Sequence, residues 1–245
     1  ETTGGGSSNT DGSINTTSTL VDTTLGMSIS TYTGTGANAT IGHGLGVVPK
    51  FVIIKNLGTG QGWQCYHEAI GNTSQIPLNS NAVPDASSTY WQNTTPTSSV
   101  ISIGSNAQCN QSSQPLVCYA FMDSQFISIG SYEGNNNADG TFIPTLNSLG
   151  VPIQPTFCLF KNMDYAGSNW MLYDTSRDPY NAVVKELKAD TTGTENADSA
   201  DTFDIVTGGL KQRGTATSMN KAYTYIYMAM GTPIIDTDGR IIAGF

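Results

Sequence analysis

One pattern occurs twice in this chain, in the same order and at nearly constant separation, and it restricts the fold more than any composition value. Gly26-Met-Ser-Ile-Ser-Thr-Tyr32-Thr-Gly34 returns 100 positions later as Phe126-Ile-Ser-Ile-Gly-Ser-Tyr132-Glu-Gly134. Gly44-Leu-Gly-Val-Val-Pro49-Lys-Phe51-Val-Ile-Ile-Lys55-Asn56 returns as Leu149-Gly-Val-Pro-Ile-Gln-Pro155-Thr-Phe157-Cys-Leu-Phe-Lys161-Asn162, at offset 106. Trp63-Gln-Cys-Tyr66-His67 matches Trp170-Met-Leu-Tyr173-Asp174 at 107, and Leu116-Val-Cys-Tyr-Ala120-Phe121 matches Tyr225-Ile-Tyr-Met-Ala229-Met230 at 109. Four blocks in one order imply a tandem duplication. The units span 20–122 and 123–231, with a leader over 1–19 and a tail over 232–245.

Within each unit the apolar runs are short, β-branched and bounded by Gly, Pro and Asn, as in Phe51-Val-Ile-Ile, Val100-Ile-Ser-Ile and Tyr223-Thr-Tyr-Ile-Tyr-Met, which is the signature of strands. The expected architecture is all-β: two tandem antiparallel β-sandwich (jelly-roll-like) repeats with little helix. Pro49 and Pro155 are expected at strand starts, where a missing N–H is tolerated. Only residues 182–189 read as helix, for about two turns. The leader holds a single large apolar residue, Ile14, too little to bury a core, and is expected to be a flexible arm or linker. The tail reads as a hairpin turning at Thr237-Asp238-Gly239.

Composition removes several function classes. Charged residues make up 12% of the 245, whereas Gly, Ser and Thr together contribute 83, so long helical bundles and coiled coils are excluded. Net charge is −9 and the pI is near 4.4, the wrong sign for the phosphate attraction that drives nucleic-acid binding. Lys50 and Lys55 are the only cations before residue 126. No run approaches 18 apolar residues, so no membrane insertion is expected. The first residue, Glu1, fits a processed product or part of a longer chain. Cys65, Cys109, Cys118 and Cys158 form no C-x-x-C pair and the chain has two histidines, so neither a zinc site nor any other cofactor is expected. No disulfide is expected either; Cys109 and Cys118 are the only nearby pair able to close a short loop.

The Tyr-x-Gly opening, the Gly-Leu-Gly-x-x-Pro segment, the Phe-(Val/Cys)-(Ile/Leu)-(Ile/Phe)-Lys-Asn strand and the Trp-x-x-Tyr-(His/Asp) strand together resemble a domain repeated in bacteriophage virion and tail-fibre proteins. Residues 20–231 carry the resemblance. Tyr173-Asp-Thr-Ser-Arg177-Asp-Pro-Tyr-Asn181 and Tyr225-Ile-Tyr-Met-Ala229 are closest to the family, while the first unit has His67-Glu-Ala-Ile-Gly71 in place of the Asp/Arg segment. The resemblance implies a structural or adhesive component on the particle surface, a tail fibre or capsid-surface fibre. Its partners would be other virion proteins, copies of itself in a homo-oligomer, with a trimer favoured, and host surface glycan.

Candidate chemistry is sparse, and a non-enzyme is expected. Asp174, Arg177 and Asp178 lie within five residues; paired carboxylates serve glycan hydrolysis, but an Asp-Arg turn is more often a structural ion pair. His43 sits among glycines as a turn residue. Asp236-Thr-Asp238-Gly239 lacks the downstream Glu of a calcium loop. Trp63 with Tyr66, and Trp170 with Tyr173, recur at equivalent places and read as repeat-core aromatics. Trp91 and Tyr90 have no repeat counterpart and lie in a Ser/Thr-rich stretch, so they are the candidate glycan contact. A receptor-reading adhesin, a polysaccharide depolymerase using Asp174 or Asp178, and an extracellular filament subunit are the alternatives.

Overall fold

A computed structural model describes residues 5–147, 149–197 and 200–234. The chain divides into two compact units, Glu1–Leu78 with Pro84–Met122, and Asn79–Val83 with Asp123–Phe245. Both are nearly all-β with antiparallel sheets. Residues 79–83, expected in the first unit, group with the second; there Gly167 N donates to Asn81 O at 2.9 Å.

The first unit contains β1 (Ser18–Asp22), β2 (Met27–Thr33), β3 (Ala39–Gly42), β4 (Phe51–Asn56), β5 (Trp63–His67), β6 (Ser74–Pro77), β7 (Asp85–Ala86), α1 (Ser88–Trp91), β8 (Val100–Ile103), α2 (Ala107–Asn110) and β9 (Pro115–Phe121). Its large sheet runs β1-β2-β9-β4-β5-β6-β7, and β3 pairs with β8 in a separate ribbon. The second unit contains β10 (Ile127–Glu133), β11 (Phe142–Pro144), β12 (Ile153–Asn162), β13 (Met171–Asp174), β14 (Lys185–Lys188), β15 (Asn196–Ala197), β16 (Phe203–Val206), β17 (Gly209–Gln212) and β18 (Thr224–Pro233). Its large sheet runs β10-β18-β12-β13-β14-β15, and β11-β17-β16 form the smaller one. From β2 and β10 onward the two large sheets correspond strand for strand.

Period-two alternation builds a sandwich-like core in each unit. In the first, Tyr32, Val52, Ile54, Tyr66, Leu116 and Cys118 point from the large sheet towards Ile41, Ile101 and Ile103 of the ribbon. In the second, Tyr132, Phe160, Tyr173, Tyr225 and Ala229 meet Ile143, Leu210 and Phe203 of the small sheet. Each fully buried Ile, Leu or Phe among these contributes about 1.5–3 kcal/mol of transfer free energy.

A polar lock recurs at the edge of both cores. Tyr32 Oη donates to Cys109 O at 2.5 Å, and Tyr132 Oη to Met219 O at 2.7 Å. The next residue in each case is a fully buried Asn. Asn110 Nδ2 donates to Ala37 O (2.6 Å) and Gly104 O (2.9 Å), while its Oδ1 accepts from Thr35 N (2.8 Å). Asn220 Nδ2 donates to Asn137 O (2.8 Å) and Gly214 O (2.9 Å), while its Oδ1 accepts from Asn135 N (3.1 Å). The Tyr-x-Gly motif follows from this closeness. A Cβ on Gly34 would lie 2.2 Å from Gln111 O, and one on Gly134 1.9 Å from Lys221 O, so only glycine fits.

Four expectations need correction. The leader is not a free arm over its described part: Ser7 bridges Thr19, Ile14 bridges Ile41, and Ile14 is buried. Its hydroxyls and amides do what apolar area does not, as in Asn9 N to Thr16 Oγ1 (2.7 Å) and Ser13 N to Thr40 Oγ1 (2.8 Å). Residues 182–189 hold strand β14 instead of a helix; Asp178 Oδ2 accepts from Val184 N and Lys185 N at 2.7 and 3.0 Å, which fixes an extended entry. Pro155 lies inside β12, where the ladder shifts between Pro155 and Phe157, and a bulge tolerates the missing donor. Residues 232–233 belong to β18, pairing with Gln154 and Ile153, and the expected hairpin turn at 237–239 lies outside the described residues.

Replacing Asn220 by Ala leaves the buried Gly214 carbonyl without its partner, at about 1–3 kcal/mol, and removes the part-buried bonds to Asn137 O and Asn135 N, each worth about 0.5–1.5 kcal/mol. Asn220→Ala should lower stability in urea by roughly 3 kcal/mol or more. Asn220→Asp should recover little of it, because a carboxylate donates nothing.

Candidate functional site

The residues singled out from sequence do not converge. Trp91 ends the one-turn helix α1, capped by Ser87, and is 1% exposed. Its ring meets Tyr66 edge-on at 6.0 Å, and Tyr90 is buried beside it, donating from Oη to Gln108 Oε1 at 2.9 Å. A buried indole presents no face to a sugar, so the expectation of a glycan platform at Trp91 and Tyr90 is corrected: a Ser/Thr-rich stretch looked like an exposed loop, but the helix turn rotates both rings inward. Tyr66, Trp170 and Tyr173 are also buried. Trp63 is only half-buried; it stacks on Tyr119 at 6.5 Å with Lys55 Nζ 5.8 Å above its ring.

Asp174 closes β13 and Arg177 reaches back to it. Arg177 Nε lies 2.6 Å from Asp174 Oδ2 and Arg177 N donates to Asp174 Oδ1 at 2.9 Å, while Arg177 Nη1 takes Glu195 Oε2 at 3.1 Å. Burial works against ionisation of Asp174, but the hydrogen bonds and charge of Arg177 outweigh it and hold the carboxyl below its usual range. A general acid needs the opposite shift. Asp178 takes no part in this pair; its carboxylate holds the two backbone amides that start β14. The groups proposed for hydrolysis are thus committed to shaping one loop.

That loop borders a cavity of about 240 Å³ lined by Gln154, Thr175, Asp178, Tyr180, Asn181 and Ile205, with Tyr180 80% exposed at its rim. A second cavity, of about 230 Å³, opens beside β14 and is lined by Asn169, Glu186, Lys188, Thr191, Thr194 and Asn196. Sequence reasoning missed Glu186 altogether. A Glu flanked by lysines reads as a solvated charge, yet its place on the sheet leaves it 1% exposed. Only the ladders reveal the match: Met171 pairs with Lys188 as Gln64 pairs with Pro77, which sets Glu186 on Gln75, also buried, while a four-residue insertion hides the correspondence in the sequence.

All four cysteines are free and buried. Burial pushes the Cys109 thiol up to about 12 and the other three further, so none is a nucleophile. His43 Nε2 donates to Thr97 O at 3.2 Å while Nδ1 accepts from Leu45 N at 3.2 Å, and burial lowers its pKa against the opposing pull of that carbonyl and Asp11. Among the described residues no three His, Cys, Asp or Glu side chains are grouped to hold a metal ion, and no helix is long and apolar enough to cross a membrane.

The sequence profile of a family described as a domain of unknown function, DUF7483, matches residues 1–232. The chain belongs to this family. No curated protein and no solved structure matches it. The DUF7483 match covers both halves of the repeat, so the duplicated pair is the unit that the family describes.

One buried charge in this DUF7483 chain has no use in the sites above. Lys161 is fully buried on β12, and its Nζ donates to Asn162 O and Ser168 O, both at 2.9 Å. Its repeat counterpart Lys55 bonds Gln61 O in the same way. Burial pushes the Lys161 amine down from 10.5 to about 8, against the attraction of Asp190. Between those values the unfolded chain keeps a proton that the native amine has released, so stability contributed by this site rises as pH climbs from about 8 to about 10. Measured against Lys161→Met in urea, the parent protein should gain at most about 1.4 kcal/mol per pH unit over that window. A pH-independent difference would show that the amine titrates normally.

Proposed function

We propose that this protein is a structural, host-attachment component of a bacteriophage particle, a tail-fibre or capsid-surface fibre built from two tandem jelly-roll-like repeats. The observation that carries the reading is the strand-for-strand correspondence of the two large sheets, each with the same Tyr and Asn lock. Repetition of a rigid unit lengthens a fibre without new packing solutions. The family resemblance of the repeat motifs points the same way. In this reading the protein is not an enzyme, works outside the cell on the particle surface, and assembles as a homotrimer alongside other virion proteins, without binding nucleic acid or entering a membrane.

A second reading, recognition of host glycan, is favoured by a specific observation: two cavities among the described residues of the second unit present hydroxyl, amide and carboxylate groups beside aliphatic surface, and those are the functional groups that sugars engage. It is compatible with the first, since a fibre tip is where a receptor is read. Depolymerase activity is the weaker version, because Asp174 and Asp178 are already committed to the loop.

Native mass measurement combined with antibody labelling of intact particles tests the proposal. Labelling on tails or spikes, with a mass three times that of one chain, is the expected result. A monomer that decorates no particle, or a chain that polymerises alone, would replace the virion reading with a free binding module or a cellular filament.

A further inference from the structure

Among the described residues, Glu186 is the one buried carboxylate whose partners are incomplete. Oε1 accepts from Lys188 Nζ at 2.9 Å and from Asn196 Nδ2 at 3.3 Å. Oε2 is buried and has no hydrogen-bond partner among the described residues. A buried acceptor left in that condition is costly, more so when it carries charge. The same side chain lines the cavity of about 230 Å³ beside β14. The volume decides what can occupy it: one water accounts for about 30 Å³, and sites for drug-sized ligands begin near 300 Å³. The space fits one small polar ring.

The lining narrows the chemistry. Lys188 already neutralises Glu186, so a second cation would gain little, and the carboxylate repels an anion. What remains is a neutral molecule that donates to Oε2 and accepts from hydroxyls or amides. Thr191, Thr194 and Asn196 supply those. A sugar residue carries several hydroxyls that each donate and accept, spaced around one rigid ring. We propose that this cavity binds a single neutral sugar residue of a surface polysaccharide, with Glu186 as the principal acceptor. The proposal rests on the attachment reading given above and places its contact at the β14–β15 edge of the second unit.

The first unit supplies an internal control. Gln75 pairs with Asp85 on the β6–β7 ladder as Glu186 pairs with Asn196 on β14–β15. Gln75 is 5% exposed and its Oε1 likewise has no partner among the described residues. Both units therefore keep an inward acceptor at this ladder position, but only the second carries the charged, stronger one. Among the described residues no aromatic ring lines the cavity, so a free monosaccharide is expected to bind only in the millimolar range, and several copies on a particle would raise the effective affinity.

The test is nuclear magnetic resonance of the full chain titrated with glucose, galactose, mannose and N-acetylglucosamine. The expected result is saturable shifts of the Gly193 amide and the Asn196 side-chain amide with at least one sugar, weakened about 10-fold in Glu186→Gln. Thr194→Val, an exposed loop change that leaves the carboxylate and its fold untouched, should weaken the same sugar several-fold. Shifts that map to the Tyr180 cavity would overturn the Glu186 site while leaving glycan attachment intact. Shifts at Gly193 that survive in Glu186→Gln, a response to ammonium or calcium ions only, or no response to any sugar would overturn it outright. Sugar binding at Gly193 by a chain that decorates no particle would uphold the site and sink the virion reading.

Discussion

Asn110 and Asn220 hold together, by one planar amide each, segments that the strand ladders leave unconnected. In a β-sandwich the sheets satisfy their own backbone groups, but the chain that passes from one sheet to the other does not. Each of these asparagines meets that need: its two N–H groups and its carbonyl engage three loop backbones, and a Tyr hydroxyl donates to the carbonyl of the residue just before it. The same geometry in the second unit uses different neighbours, Met219 for Cys109 and Gly214 for Gly104. Asn56 and Asn162 repeat the device at the end of β4 and β12, donating to Ala107 O and Thr217 O. An amide suits the task because it is neutral and bifunctional. A chain with 12% charged residues thereby closes these junctions with neutral amides in place of ion pairs that would have to repay their desolvation.

Much of this was legible in the sequence, though not the reason for it. The duplicated blocks located the strands, since β-branched runs bounded by Gly and Pro leave few other choices. Tyr-x-Gly stood out as a motif, but the cause of its glycine, a carbonyl about 2 Å from where a Cβ would sit, is a contact between residues some 80 positions apart. Asn110 and Asn220 escaped notice because an isolated Asn in a turn is common, and only long-range partners distinguish a lock from a turn. The leader misled for a related reason. Apolar content predicts burial in a core, whereas residues 5–17 attach through hydroxyl and amide bonds to an exposed edge, with Ile14 as the single apolar anchor.

The candidate sites divide along the same line. Asp174 and Arg177 were visible because their partnership is local, three residues apart in one turn. Glu186 was invisible because its burial is decided by strand alternation, whereas residues 182–189 read as a helix. Trp91 failed in the opposite direction: nothing local distinguishes an exposed aromatic from one that a single helical turn rotates into the core.

Duplication also explains where chemistry accumulates. The two units share strands, locks and a Lys contact to a neighbouring carbonyl, half-buried for Lys55 with Gln61 and fully buried for Lys161 with Ser168. They differ in charge at matched places. His67 stands where the second unit has Asp174, Gln75 where it has Glu186, and all cations but Lys50 and Lys55 lie beyond residue 126. Shared features carry the fold, and changing them costs both stability and shape. Positions that differ are freed from that constraint, because the first unit demonstrates that the fold tolerates a neutral residue there. Among the described residues three ion pairs of the second unit gather around β13, β14 and the loop joining them, beside the two cavities, while Lys211 with Asp139 and Arg213 with Asp204 lie at the smaller sheet. Glu186 carries its charge at a ladder position where the first unit buries the neutral Gln75, and this comparison within one chain directs attention to the second unit's edge.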